Sequence, residues 1–236
     1  MQAFIADYIS IGSVDFSDEL YSKIFFSGCD FKCPYCNTPE MVEAKLEHQV
    51  DLREIKKELE SDRILITGGE PCFQKAALVE ILKWAKESGK KTAIDTNGSK
   101  PEVIELLLRD GLVNTIIMDL KAPFENFEKI TKSQTFFKPE SEIIGEIKQT
   151  LGILKAYDEK IDIIFRTTIV PGLLFRKEDL KKIANQIEGI NCSWELKPFR
   201  SGIILDKRMK DINSPTEQFM QNIKEYLIKE TSIIIR

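Results

Sequence analysis

The run GCDFKCPYC, residues 28–36, places Cys29, Cys33 and Cys36 within eight residues of a 236-residue chain that has five cysteines in all. Three thiols held this close read as ligands of a metal ion or cluster, and a set of three leaves one coordination position for something other than protein. A disulfide would use only two of them and is unexpected in a reducing compartment. A structural zinc site normally takes four ligands, usually as two pairs separated by about a dozen residues or more. Here the second pair is missing, since Cys72 and Cys192 are isolated and the single histidine, His48, lies in a charged stretch. A cubane [4Fe-4S] cluster on three thiolates would leave one iron free for a chelating small molecule.

The rest of the chain bounds what can surround such a site. Hydrophobic residues make up 42% and charged residues 31%, the balance of a globular protein. The length suits one α/β domain over residues 1–236, with a core over about 22–200 and a C-terminal helix and terminal strand over about 201–236. No apolar stretch approaches the roughly 18–20 residues needed to cross a bilayer. The opening run MQAFIADYISIGSVD carries Asp7 and no basic side chain, so it does not read as a signal peptide, and a cytoplasmic location is expected. The formal net charge is −4 with lysines and glutamates interleaved, which gives no support for a nucleic-acid partner. No low-complexity segment or short repeat is present.

Apolar runs at residues 23–27, 63–67, 91–95, 115–120, 161–170 and 194–198 alternate with amphipathic stretches at 51–60, 73–88, 101–109, 141–157 and 177–187, and a last helix is expected over 215–229 before the terminal run SIIIR. Runs such as ILIT, TIIMDL and IDIIFRTTIV are apolar on both faces, as parallel strands covered by helices require. Gly89 and Gly111 follow their helices as C-cap candidates, and Pro101 and Pro215 stand at first-turn positions. Six βα units predict a partial (β/α)6 barrel of parallel strands with outer helices, or an open doubly wound sheet. In both, a ligand site forms at the C-terminal strand ends.

Those ends carry the chemistry-bearing residues. The cysteine loop follows the first run, GGEP (68–71) the second, DTNG (95–98) the third, DLK (119–121) the fourth, VPG (170–172) the fifth and KPFR (197–200) the sixth. Gly68 and Gly69 permit close backbone approach or unusual dihedrals. Asp95 and Asp119 need a hydrogen bond, a cation or a partner if they are buried. A turn capped through Asn97 and Gly98, and an Asp119–Lys121 surface pair, would meet that need. Arg166 offers a fork for a carboxylate or a salt bridge within its strand. Cys72 reads as a buried packing thiol, and Phe31 and Tyr35 as aromatics that shield the cysteines or fill the core. Lys32 and Asn37 read as peripheral.

The spacing C-x3-C-x2-C with Tyr35 before its last cysteine resembles the signature of the radical S-adenosylmethionine (SAM) enzymes. As a set, GCDFKCPYCNTPEMV, ITGGEP, IDTNG, MDLK and IVPG resemble the activating proteins of anaerobic ribonucleotide reductase and pyruvate formate-lyase. The resemblance implies one [4Fe-4S] cluster on Cys29, Cys33 and Cys36, with SAM chelating the fourth iron and cleaved by one electron to a 5′-deoxyadenosyl radical. It also implies SAM contacts among Tyr35, Gly68, Gly69, Glu70, Asp95, Thr96, Asn97, Asp119 and Lys121, a glycyl-radical enzyme as protein substrate, and an electron donor such as flavodoxin or ferredoxin. The chain departs from the pattern at Asn37, where many such proteins have His-Asn, at Arg200, where they often have a histidine, and in lacking an Asp-x-Pro-Gly-Lys run in its first twenty residues. A small-molecule enzyme resembling 7-carboxy-7-deazaguanine synthase is the alternative within the superfamily, and a non-catalytic zinc-binding interaction domain the alternative outside it. No catalytic acid or base is assigned, because in this chemistry the cofactor supplies the reactive species. Replacing Cys29, Cys33 or Cys36 by Ala is expected to abolish iron binding and SAM cleavage, whereas Cys72→Ala and Cys192→Ala retain both; full activity in the Cys33→Ala protein would refute the ligand set.

Overall fold

Each apolar run read above as a strand is a strand, and the amphipathic stretches between them are helices. The computed structural model describes residues 1–135 and 137–236. It divides into two units, one formed by Met1–Asp30, Glu40–Thr96 and Lys100–Ile117, the other by Phe31–Pro39, Asn97–Ser99 and Met118–Arg236.

The first unit holds β1 (Gln2–Gly12), β2 (Tyr21–Phe26), β3 (Gln49–Asp51), α1 (Leu52–Glu58), β4 (Arg63–Gly68), α2 (Lys75–Glu87), β5 (Lys91–Thr96), α3 (Pro101–Arg109) and the start of β6 (Thr115–Asp119). Its strand order is β3-β1-β2-β4-β5-β6. β2, β4 and β5 run parallel, with Ile24 opposite Ile66 and Ile64 opposite Thr92. Ile24, Ile64, Ile66 and Ile94 are fully buried, as strands covered on both faces demand. Leu78, Ile81, Leu82 and Ala85 of α2 are also fully buried, and their three- and four-residue spacing makes one helical face.

The second unit holds the end of β6, then α4 (Phe127–Thr131), α5 (Glu140–Tyr157), β7 (Asp162–Ile169), α6 (Lys177–Gln186), β8 (Ser193–Pro198), α7 (Glu217–Glu230) and β9 (Ile234–Ile235), in the order β6-β7-β8-β9. β7, β8 and β9 are parallel, with Phe165 opposite Trp194 and Trp194 opposite Ile235. The buried Trp194 indole N–H donates to Thr167 Oγ1 at 3.0 Å, and the Thr167 hydroxyl donates to the Leu120 carbonyl at 2.8 Å. A large apolar ring is thus buried without stranding its polar atom.

The structure adds elements that periodicity did not reveal. β1 and β3 pair antiparallel at one edge, so the strands are mostly rather than wholly parallel. The β1 sequence QAFIADYISIG lacks clean alternation: Ala3 and Ile5 are buried, while Tyr8, Ile9 and Ile11 are exposed. α4 has only five residues, too few to show a period. α7 starts two residues later than Pro215 suggests, because the Thr216 hydroxyl takes the cap by accepting from the Phe219 N–H at 3.2 Å. The terminal SIIIR run contributes only the two-residue β9.

β4 ends at Gly68 with φ of +114°, and a Cβ there would lie 2.3 Å from the Phe26 carbonyl oxygen of β2. Since neither backbone can yield, Gly68→Ala is expected to cost about 3 kcal/mol or more, read as a lower urea midpoint with an unchanged slope.

Candidate functional site

The cysteine run leaves β2 and crosses from the first unit to the second between Asp30 and Phe31. In the first unit its opening is stitched by main chain. The Gly28 N–H donates to the Met41 carbonyl at 2.8 Å and the Cys29 N–H to the Val42 carbonyl at 2.9 Å. On the other side the Glu70 N–H donates to the Gly28 carbonyl, and the Gly69 N–H to the Phe26 carbonyl, both at 2.8 Å. The GG of GGEP therefore braces the cysteine loop, and a Cβ on Gly69 would sit 2.4 Å from the Gly28 oxygen and 2.8 Å from the Met41 oxygen. Gln74, which no sequence signal singles out, completes the brace. Its amide donates to the carbonyls of Phe4 and Ser27, and its oxygen accepts from the Phe4 N–H, all at 2.8 Å.

Glu70 is fully buried, and one carboxylate oxygen accepts from the Thr96 hydroxyl at 2.7 Å and from the Cys72 N–H at 3.0 Å. Buried charge is tolerated only with such partners. Burial, then the Glu70 charge, raises the Cys72 thiol well above the usual cysteine range, which makes it an inert packing thiol. Asp95 accepts from the Thr67 hydroxyl at 3.3 Å.

In the second unit the remainder of the run is again held by peptide groups. The Lys32 N–H donates to the Thr131 carbonyl at the end of α4, the Asp206 N–H to the Pro34 carbonyl, and the Leu205 N–H to the Cys36 carbonyl, at 3.0, 3.0 and 2.9 Å. Phe31 is buried edge-to-face on Phe127, with ring centres 5.7 Å apart. Lys32 and Asn37 are exposed, as expected.

Lys121 Nζ lies 2.7 Å from Asp119 Oδ2, and both side chains are mostly buried, so this is no surface pair. Burial opposes the Lys121 charge, yet Asp119, Cys33 and Tyr35 together raise its pKa well above the ordinary lysine value. Burial pushes the Cys33 thiol up to about 11, with the Lys121 cation pulling against it. Tyr35 is raised well above the usual phenol value, first by burial. The four side chains thus form one electrostatic group. Asn97 accepts from the Ser99 N–H at 2.9 Å in the turn after β5. Arg166 pairs with buried Glu195 at 3.1 Å, and Lys197 reaches the same carboxylate at 3.3 Å, so Arg166 takes the strand salt-bridge role.

Residues 23–187 match the model of the radical SAM superfamily. The chain belongs to the radical SAM superfamily. Among curated relatives of this radical SAM protein, a Methanocaldococcus jannaschii protein named as a candidate glycyl-radical enzyme activating enzyme is 29% identical, with 100% of this chain and 97% of that one aligned. The pyruvate formate-lyase-activating enzyme of Clostridium pasteurianum is 27% identical over 92% and 94% of the two chains. A radical SAM methyltransferase structure from Sphaerobacter thermophilus covers 99% of this chain and 76% of its own at a TM-score of 0.64 and 14% identity, which shows a shared fold. The expected α/β class, with the helices and mostly parallel strands of a partial (β/α)6 barrel, is therefore correct.

Because Lys121 stabilises the Cys33 thiolate and Asp119 opposes it, two substitutions have opposite signs. In cluster-free protein, Lys121→Met is expected to move the pH midpoint of Cys33 alkylation upward and Asp119→Asn to move it downward, read site by site by mass spectrometry.

Proposed function

We propose that this radical SAM enzyme is a glycyl-radical-enzyme activase: a single domain over residues 1–236 that removes hydrogen from a glycine α-carbon of a partner enzyme. The observation that carries the reading is the end-to-end likeness to a relative named for that activity, aligned over 100% of this chain. The cysteine run, GGEP, DTNG and MDLK all fall within the matched residues.

Cys29, Cys33 and Cys36 are the residues that would hold a [4Fe-4S] cluster, and none of the three is in a disulfide. Among the described residues no three His, Cys, Asp or Glu side chains converge on one metal-ion position. A [4Fe-4S] cubane takes one thiolate per iron, so three cysteines would hold three of its four irons. Lys121 supports thiolate formation at Cys33, and the burial of Cys33 and Tyr35 keeps water from that side. Held by these residues, a [4Fe-4S] cluster would supply the electron for reductive cleavage of SAM. For SAM itself the chain offers Tyr35, Gly68, Gly69, Glu70, Asp95, Thr96, Asn97, Asp119 and Lys121, of which Glu70 and Thr96 are already hydrogen-bonded together. The proposed donor is a low-potential carrier such as flavodoxin or ferredoxin. No described helix is long and apolar enough to cross a membrane, and five cysteines outside any disulfide fit a reducing cytoplasm.

Anaerobic reconstitution with iron and sulfide, followed by SAM and a strong reductant, is expected to give 5′-deoxyadenosine. Adding a glycyl-radical enzyme should then give a glycyl-radical EPR doublet on the partner. Deoxyadenosine without that doublet, but with turnover of a small molecule, would overturn the activase reading; stoichiometric zinc with no iron would overturn the whole assignment.

A further inference from the structure

Asp30 follows Cys29 in the run, and Lys100 directly precedes α3. Their side chains meet at 2.6 Å, with Lys100 19% and Asp30 21% exposed, so the pair is largely shielded from water. The Lys100 ammonium also lies 5.9 Å from the centre of the Phe73 ring. That ring in turn stands against Gly28, where a Cβ would be 3.4 Å from Phe73 Cδ1. One cation therefore joins three segments of the first unit: the start of the cysteine run, the turn after GGEP and the entry to α3. None of the three side chains is a cluster ligand or a SAM contact in the reading above.

We infer that the Asp30–Lys100 ion pair, covered by Phe73, is a clamp that positions Cys29. The inference rests on the cluster assignment for its purpose, but its geometry is independent of it. The peptide before the cysteine is fixed by the Gly28 and Cys29 N–H groups and by the Gly28 carbonyl. The residue after it is fixed by the Asp30 carboxylate. Holding both neighbours restrains the backbone at Cys29, and with it the direction in which its Cβ leaves the chain and the χ1 wells open to its sulfur. A charge-assisted contact removed from water suits this task, because it is short and directional. Lys100 and Asp30 are positioning residues and take no part in the chemistry.

The test uses the full chain without cluster. Site-resolved alkylation by iodoacetamide would be followed by mass spectrometry in Lys100→Met, Asp30→Asn, Lys100→Arg and the double variant Asp30→Asn/Lys100→Met. Cys29 should react about tenfold faster in both single variants, equivalent to about 1.4 kcal/mol of lost local order. Cys36 should keep its rate, Lys100→Arg should stay near wild type, and the double variant should be no faster than either single one. In reconstituted protein the same two single variants should lose iron to a chelator faster and show an altered EPR spectrum of the reduced cluster. Unchanged Cys29 alkylation in the single variants would overturn the clamp, as would an equal acceleration of Cys29 and Cys36, which would signal general loosening. A wild-type chain that takes up no cluster would overturn the radical SAM ligand set, while the alkylation rates would still decide the clamp.

Discussion

No room exists for a side-chain carbon where Gly69 passes Gly28 and Met41, and that close approach of backbones is the constraint on which the site depends. The two carbonyls that would clash with a Cβ belong to segments that also exchange hydrogen bonds: Gly28 accepts from Glu70 and Met41 accepts from Gly28. The cysteine run is thereby laid directly on the turn after β4. Gly68 adds a second tight passage against Phe26, with a dihedral that a residue bearing a Cβ adopts only under strain. Gln74 then uses one side-chain amide to bind both the first strand and the residue before Gly28, in the manner of a strand neighbour.

Buried charge is partnered in each unit. In the first, Glu70 is sunk fully and accepts from the Thr96 hydroxyl and the Cys72 N–H, and Asp30 meets Lys100 largely out of water. In the second, Lys121 and Asp119 neutralise each other beside a buried thiol and a buried phenol. Burial works against the Cys33 thiolate, and the Lys121 cation works for it.

Much of this was legible because the signals were local. The three cysteines, the apolar runs and the turn glycines each follow from residue type and spacing, and all the expected parallel strands form. What escaped lacked a local signature. β1 packs only its first residues and shows no clean alternation. α4 is a single short turn. The Gln74 brace and the Asp30–Lys100 contact join residues 47 to 70 positions apart, and nothing near either partner announces the other. Arg166 and Lys121 stand out in the sequence as cations, but their partners, the buried Glu195 and the partly exposed Asp119, decide their roles.

Lys32, Pro34 and Cys36 are tied down through their peptide groups by Thr131, Asp206 and Leu205. A loop sewn in this way keeps its course whatever side chains decorate it. Lys32 and Asn37, which face solvent, are thus open to replacement without disturbing the thiols between them. Such a surface separates two duties, since its side chains can vary while its peptide groups keep the path of the loop.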